Sequence, residues 1–283
     1  MDLIELLKSF VLGVVEGITE WLPISSTGHM ILVDEFLTLN VSHQFLELFL
    51  VVIQLGAIMA VVVIYFNKLN PFSRSKTSSE RSSTWRLWGM VAIGCIPAAI
   101  VGITLDHFFN TYFYNAWTVA IALIAYGIVF IVIENYRAVH NIENRIESVD
   151  DIDIATSIKI GLFQCLAIIP GTSRSGSTII GGMLCGCSRV AATEYTFFLA
   201  IPVMLGWGIL KTIKMIASGI SMSMTEIGVL IVGILTSFVI SILAIKFLLK
   251  FIKSHDFKAF GIYRIAIGII VLFYFGTKLI MQF

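Results

Sequence analysis

The chain alternates long apolar runs with short polar loops, and two of its apolar runs are broken in the middle. A helix needs about 20 apolar residues to cross the hydrocarbon core of a bilayer. Uninterrupted runs of that order occupy roughly 45–66, 86–106, 115–134, 192–214, 226–249 and 261–281, and each predicts a transmembrane helix. The stretches 3–38 and 157–187 are also apolar but are interrupted by "LPISSTGH" and "PGTSRSGST". The pieces on either side of each interruption are too short to cross comfortably. Irregular backbone at membrane depth is tolerated only where protein surrounds it or where it lines a cavity. Both stretches are therefore predicted to be re-entrant helical hairpins that enter the membrane, turn and leave by the same side.

The two hairpins resemble one another. Adding 148 to a position carries Gly13 onto Gly161, Glu16 onto Gln164, Ser25 onto Ser173 and Gly28 onto Gly176. Each hairpin is followed by three full spans. Three is odd, so the second half must be inserted upside down relative to the first, which predicts an inverted-topology repeat of 1–134 and 135–283 within one integral membrane domain. In such repeats the binding site lies near the midplane, where the broken helices meet. The expected fold is an all-α polytopic membrane protein with six transmembrane helices and two re-entrant helical hairpins.

Composition agrees with this reading. The 283 residues are 58% hydrophobic and 13% charged, and mean hydropathy is +0.94; soluble domains are about a quarter charged. The net charge of +1, with no basic tail, gives no reason to expect a nucleic-acid partner. The N-terminus has acids at Asp2 and Glu5 and no basic segment, so no cleavable signal is expected. The four cysteines, Cys95, Cys165, Cys185 and Cys187, lie in apolar surroundings without metal-like spacing and read as small packing residues.

Lysine and arginine orient the spans. The loop after the first span carries Lys68, Arg74, Lys76, Arg81 and Arg86, and the loop between the last two carries Lys250, Lys253, Lys258 and Arg264. Both are expected to be cytoplasmic. The connection 107–114 has neither residue and is expected outside, as are both termini. The first hairpin then enters from the outer side and the second from the cytoplasm.

Chemistry is concentrated in the breaks. In "PGTSRSGST", Pro170 ends one half-helix and Ser173 to Thr178 open the next. A helix N-terminus offers free N–H groups and a partial positive charge to phosphate or carboxylate. Arg174 adds a fork of donors suited to phosphate, and Ser173, Ser175 and Thr178 add hydroxyls. An arginine at mid-membrane depth is costly and marks function, although pairing with a carboxylate such as Glu20 is the simpler alternative. In "EGITEWLPISSTGH", Glu16 and Glu20 are four apart and share a helix face. Ser26 opens the half-helix after Pro23, with His29 above it. The carboxylates can hold Mg²⁺ or Ca²⁺ or act as general base, and a serine or histidine can attack phosphorus. Capping accounts readily for Ser25 and Thr27 but not for Glu16, Glu20 and His29 together.

These two motifs, with "VVIQLGAIMAVVV" at 51–63 and "SRVAATEYTFFLAIP" at 188–202, resemble the signature segments of the undecaprenyl-diphosphatase family of the bacitracin-resistance type, over essentially the whole chain. The resemblance implies a multi-pass phosphatase of the bacterial cytoplasmic (inner) membrane, its site open to the outer face. Its substrate would be the polyprenyl lipid undecaprenyl diphosphate, and its product the undecaprenyl phosphate carrier used in peptidoglycan synthesis. It implies dependence on Mg²⁺ or Ca²⁺ held by Glu16 and Glu20. It further implies catalytic roles for Glu16, Glu20, Ser26, His29 and Arg174, and diphosphate contacts from Ser25, Thr27, Ser173, Arg174, Ser175, Gly176 and Thr178. Leu50 stands where relatives have an acid, with Glu47 on about the same face as a substitute. Ser26, His29 and an activated water all stay open as the attacking group, and a homodimer is compatible with the chain. A lipid-phosphate transporter is the alternative, because inverted repeats with broken hairpins also build transporters.

Overall fold

The computed structural model of the chain describes residues 2–217 and 222–280. Among these residues the protein is helical with no strand; one isolated bridge pairs Ile146 with Cys187. The helices are α1 (Leu3–Thr19), α2 (Ser26–Asp34), α3 (His43–Ile64), α4 (Phe66–Leu69), α5 (Ser78–Phe113), α6 (Ala116–Val139), α7 (Ile154–Cys165), α8 (Arg174–Leu184), α9 (Arg189–Ala217), α10 (Met224–Ile252) and α11 (Lys258–Ile280).

Six of these, α3, α5, α6, α9, α10 and α11, are long and apolar enough to cross a membrane, and they match the six predicted spans. The chain is a multi-pass membrane protein. Helix α5 starts well before its apolar run because Thr77 and Glu80 form a capping box, each side chain satisfying the other residue's backbone N–H. Ser223 and Glu226 do the same for α10. The outward surface is apolar, with Ile103 86% and Phe273 73% exposed, as lipid contact requires.

The shorter pairs α1–α2 and α7–α8 are the two interrupted stretches. At the first, Lys8 Nζ donates to the Thr38 carbonyl at 2.7 Å and the Asn40 N–H to Glu5 Oε2 at 2.9 Å. The start of α1 and the segment after α2 therefore lie together. At the second, the Arg145 and Ile146 N–H groups donate to the Gly186 carbonyl, which joins the approach to α7 with the exit from α8. The loops of one end of the bundle are tied by Lys68–Asp150 at 2.9 Å, by Arg86 on the Asp150 and Ile152 carbonyls, and by the Phe257 N–H on Glu134 Oε1 at 3.0 Å. The opposite end is tied by Lys278–Glu35 at 2.6 Å.

Close helix crossings run through glycine. Helix α1 packs on α10, α7 on α5, and α6 on α11. A Cβ at Gly13 would lie 2.9 Å from the Gly233 carbonyl oxygen, and one at Gly161 would overlap the carbonyl oxygen of Gly94. At the third crossing the contact is reciprocal: Gly127 meets the Gly261 carbonyl and Gly261 that of Gly127, at 2.6 and 2.7 Å from the added Cβ. Small residues let helix backbones approach where lipid gives no hydrophobic drive to association. Trp21, Phe197, Phe198 and Tyr195 fill the core between the two short pairs and α9, Trp21 meeting Phe197 edge to face at 5.3 Å. All four cysteines are free, and Cys187 is buried.

Candidate active site

The two breaks are built alike. Helix α1 stops at Thr19, and Pro23, which has no N–H to continue a helix, lies in the turn that follows. Ser25 then caps α2 from a left-handed backbone (φ 74°), its Oγ accepting the Gly28 N–H at 3.3 Å. Helix α7 passes through a short 3-10 turn (Leu166–Ile168) to Pro170 and to Gly171 at φ 90°. Ser173 then caps α8 from φ 73°, accepting the Gly176 N–H at 3.1 Å. A left-handed backbone at a residue other than glycine costs about 1–3 kcal/mol and is characteristic of functional sites.

Arg264 joins the breaks. It is fully buried, and its guanidinium donates to the carbonyls of Pro23 at 3.1 Å and of Gly171 and Thr172, both at 2.9 Å. The count of basic loop residues treats Arg264 as a cytoplasmic charge. The structure corrects this: its position in α11 lets the side chain reach the bare carbonyls of both breaks, a partner that local sequence does not reveal. Ser175 Oγ adds a second tie, 3.1 Å from the Glu20 carbonyl and 3.3 Å from that of Leu22.

Between the breaks lies a polar cavity of about 200 Å³ lined by Glu20, Ser25, Ser26, Thr27, Ser173 and Arg174, with Gln54 and Trp207 on its walls. Ser26 Oγ donates to Glu20 Oε2 at 2.8 Å. Arg174 Nη2 donates to Glu20 Oε1 at 2.9 Å and Nη1 to the Thr196 carbonyl at 3.0 Å. The guanidinium sits 6.0 Å from the Trp21 ring, and its Nε is buried without a hydrogen-bond partner.

The other expected site residues stand apart from the cavity wall. Glu16, one turn before Glu20, is buried with Oε1 unpartnered. His29 uses both ring nitrogens, Nδ1 at 2.7 Å from the Ser25 carbonyl and Nε2 at 2.7 Å from the Tyr263 hydroxyl, and stacks on the Tyr263 ring at 5.6 Å. Thr178 Oγ1 donates to the Arg174 carbonyl at 2.9 Å and is 2.8 Å from Thr196 Oγ1. Ser175, Gly176 and Thr178 thus brace the α8 N-terminus from beneath. Glu47 pairs with Lys211 at 3.1 Å, outside the cavity, and Leu50 packs in an apolar cluster.

Sequence reasoning missed Gln54, Trp207 and Arg264. A polar residue inside the apolar run "VVIQLGAIM" was signal enough for Gln54; an arginine inside a predicted span was the same for Arg264. Trp207 carries no local signal.

A divalent cation finds a sparse protein donor set. Among the described residues no group of three or more His, Cys, Asp and Glu could hold a metal ion. Glu20 and Glu16, the latter with Oε1 buried and unpartnered, still suit Mg²⁺, which is commonly held by one or two carboxylates and completed by substrate phosphates and water.

A serine hydroxyl on a carboxylate, a guanidinium, and two helix N-termini at one cavity of a multi-pass membrane protein suit hydroxyl chemistry on an anionic group. The profile of the family described as bacitracin resistance protein BacA matches residues 9–270, and the chain belongs to that family. It is 51% identical over 282 residues to an undecaprenyl-diphosphatase of Desulfitobacterium hafniense, covering 99% of this chain and all of the relative. It is 55% identical over 276 residues to undecaprenyl-diphosphatase 1 of Clostridium acetobutylicum, covering 97% and 99%. To an undecaprenyl-diphosphatase of Enterococcus faecalis it is 52% identical over 267 residues, covering 94% and 96%.

Proposed function

We propose that the chain is an undecaprenyl-diphosphate phosphatase, which removes the terminal phosphate of undecaprenyl diphosphate to leave the monophosphate carrier lipid for envelope polymer synthesis. Family membership and the names of full-length relatives support this reading. The observation that carries it is the Ser26–Glu20–Arg174 arrangement at the meeting of two helix N-termini.

In this reading the cap segments at Ser25–Thr27 and Ser173 present N–H and hydroxyl donors to the diphosphate, and the Arg174 guanidinium on the cavity wall supplies the positive charge that holds a phosphate oxygen. Donors already in position are worth most where charge develops in the transition state. Ser26 Oγ attacks the terminal phosphorus, and the bond from that phosphorus to the bridging oxygen breaks. Glu20 takes the Ser26 proton and passes it to the departing monophosphate. Water then attacks the phosphoserine; Glu20 takes its proton and returns it to Ser26 Oγ as inorganic phosphate leaves. Two observations favour Ser26 over His29 as nucleophile: its hydroxyl lines the cavity on a carboxylate, and both His29 nitrogens are engaged elsewhere. Glu16 and Glu20 would hold a divalent cation, Mg²⁺ or Ca²⁺, whose chemistry is to neutralise charge on the diphosphate oxygens. Ser175, Gly176 and Thr178 act by fixing the α8 N-terminus.

Each short helix pair is read as re-entrant, and the halves 1–134 and 135–283 as inverted repeats. Support comes from the matched left-handed caps and from the two pairs opening at opposite ends of the bundle. It also comes from the crossed packing, α1 on α10 and α7 on α5. The end carrying Lys68, Lys76 and Arg86 is read as cytoplasmic, which puts the first hairpin's mouth, and the substrate, on the outer side of the inner membrane.

The test is phosphate release from undecaprenyl diphosphate by purified protein, in Mg²⁺, Ca²⁺ and EDTA, beside Glu20→Gln, Ser26→Ala, His29→Ala and Arg174→Ala. Metal-dependent release that disappears in Glu20→Gln and Arg174→Ala, with a quench-trapped phosphoserine absent from Ser26→Ala, is the expected result. Folded wild-type protein that releases no phosphate under any metal would sink the reading.

A further inference from the structure

A second cavity, of about 500 Å³, adjoins the polar one. Its walls come from α5, from the end of α7 with the turn after it, and from α9. They are almost wholly apolar, with Ala98, Val101, Gly102, Pro202 and Gly206 prominent. The two cavities share Ala167, Arg174, Val203 and Trp207, so they lie side by side with the Arg174 side chain on the wall of both. The far side reaches the lipid-facing surface of α5, where Ile100 and Ile103 are 59% and 86% exposed.

We propose that this apolar cavity receives the head-proximal isoprene units of the substrate chain and guides the rest sideways into the bilayer between α5 and α9. The inference rests on the phosphatase reading above and deepens it. The chemistry of the walls excludes the phosphates: apart from Arg174 and Gln164 the cavity offers only apolar groups and the two cysteines Cys95 and Cys165. A polyisoprenoid is what such a wall stabilises, at roughly 25 cal/mol per Å² of apolar surface removed from water. Its junction is also correctly ordered. A diphosphate lipid has its charge at one end and its chain at the other, and Arg174 sits at the boundary between the polar and apolar volumes. A soluble diphosphate would need no lateral opening.

The protein supplies its own clean probes. Gly102 and Gly206 line the cavity, and a Cβ at either has nothing within 4 Å. Both are helical, so replacement by leucine fills the cavity while favouring the helix. Gly89, also on α5 with open space at its Cβ, lies away from both cavities and gives the control Gly89→Leu. The experiment measures KM for undecaprenyl diphosphate and the inhibition constant of inorganic diphosphate in wild type, Gly89→Leu and Gly102→Leu/Gly206→Leu. It is joined by photocrosslinking with a prenyl diphosphate bearing a diazirine in its first isoprene units.

The expected result is a KM raised roughly tenfold or more in the double variant alone. The inhibition constant should stay unchanged, and label should map to α5 and α9 and be displaced by unlabelled undecaprenyl diphosphate. An unchanged KM, or a parallel loss of inorganic diphosphate binding, would overturn the assignment. Label displaced by bulk phospholipid but not by prenyl diphosphate would overturn it too and assign the cavity to structural lipid. Displaceable label on α5 and α9 from protein that releases no phosphate would keep the cavity assignment and remove the phosphatase reading instead.

Discussion

The two helix breaks share a backbone and divide the chemistry. Ser25 and Ser173 are held at φ 74° and 73°, and each caps the helix that follows through the N–H three residues on. The side chains around these caps differ. The first break has Glu16, Glu20 and Ser26. The corresponding positions of the second carry Gln164, Ile168 and Arg174. One backbone device thus serves twice as a donor-rich helix start, with proton-accepting groups on one copy and the fixed positive charge on the other. The asymmetry suits a catalyst better than a carrier, because a reaction needs a base and an anion grip on opposite sides of one phosphorus.

The largest test of that division exchanges its central groups. Glu20→Gln keeps the shape of the side chain but removes the proton-accepting carboxylate beside Ser26 and the negative charge that pairs with Arg174; phosphate release should fall by roughly 10²–10⁴-fold. Gln164→Glu, which gives the second break the carboxylate it lacks, should leave Glu20→Gln unrescued in the same assay.

Next in size is the link between the breaks. Arg264→Met leaves the Pro23, Gly171 and Thr172 carbonyls without their donor in a buried setting. A loss of about 3 kcal/mol, seen as a lower unfolding temperature in detergent, is expected. Gly161→Ala and Gly13→Ala probe the crossings of α7 on α5 and of α1 on α10. Both should destabilise by about 1–3 kcal/mol, Gly161→Ala more, because its methyl meets the Gly94 carbonyl at closer range.

The smallest expected effect sits at the exposed start of α7. Asp153 caps α7 by accepting the Thr156 N–H at 2.8 Å, and that bond holds its carboxyl below the usual carboxylate range. A depressed folded value means the stabilisation is present above the ordinary carboxylate pKa and is lost as pH falls through the folded one. Unfolding temperature in wild type should therefore decline slightly over that acidic window, and the decline should be absent in Asp153→Ala. An equal decline in both would assign it to other carboxylates.

Much of this architecture was legible in the sequence because lipid makes polar residues conspicuous. The six spans, the two breaks and the residues Glu20, Ser25, Ser26, Thr27, Ser173 and Arg174 at the cavity all stand out as polar interruptions of apolar runs. Local pattern was least informative about which expected groups turn toward the cavity. His29 and Thr178 lie on the right segments, but their neighbours Tyr263 and Thr196 come from α11 and α9 and engage them. The role of Arg264 depends on carbonyls far away in sequence, and no local period encodes that. The helix extensions at Ser78 and Met224 came from capping residues outside the apolar windows, which a count of hydrophobic length does not weigh.

Arg264 also sets the mechanics of the molecule. It hangs from α11, whose backbone is locked to α6 by the reciprocal contact of Gly127 and Gly261, and it grips both breaks at once. It works as a keystone: the two breaks cannot separate without pulling a buried cation from its carbonyls on one side or the other. A carrier that exposes its site alternately to the two faces needs such movement. In this arrangement one side chain fixes the distance between the two helix starts that face the cavity.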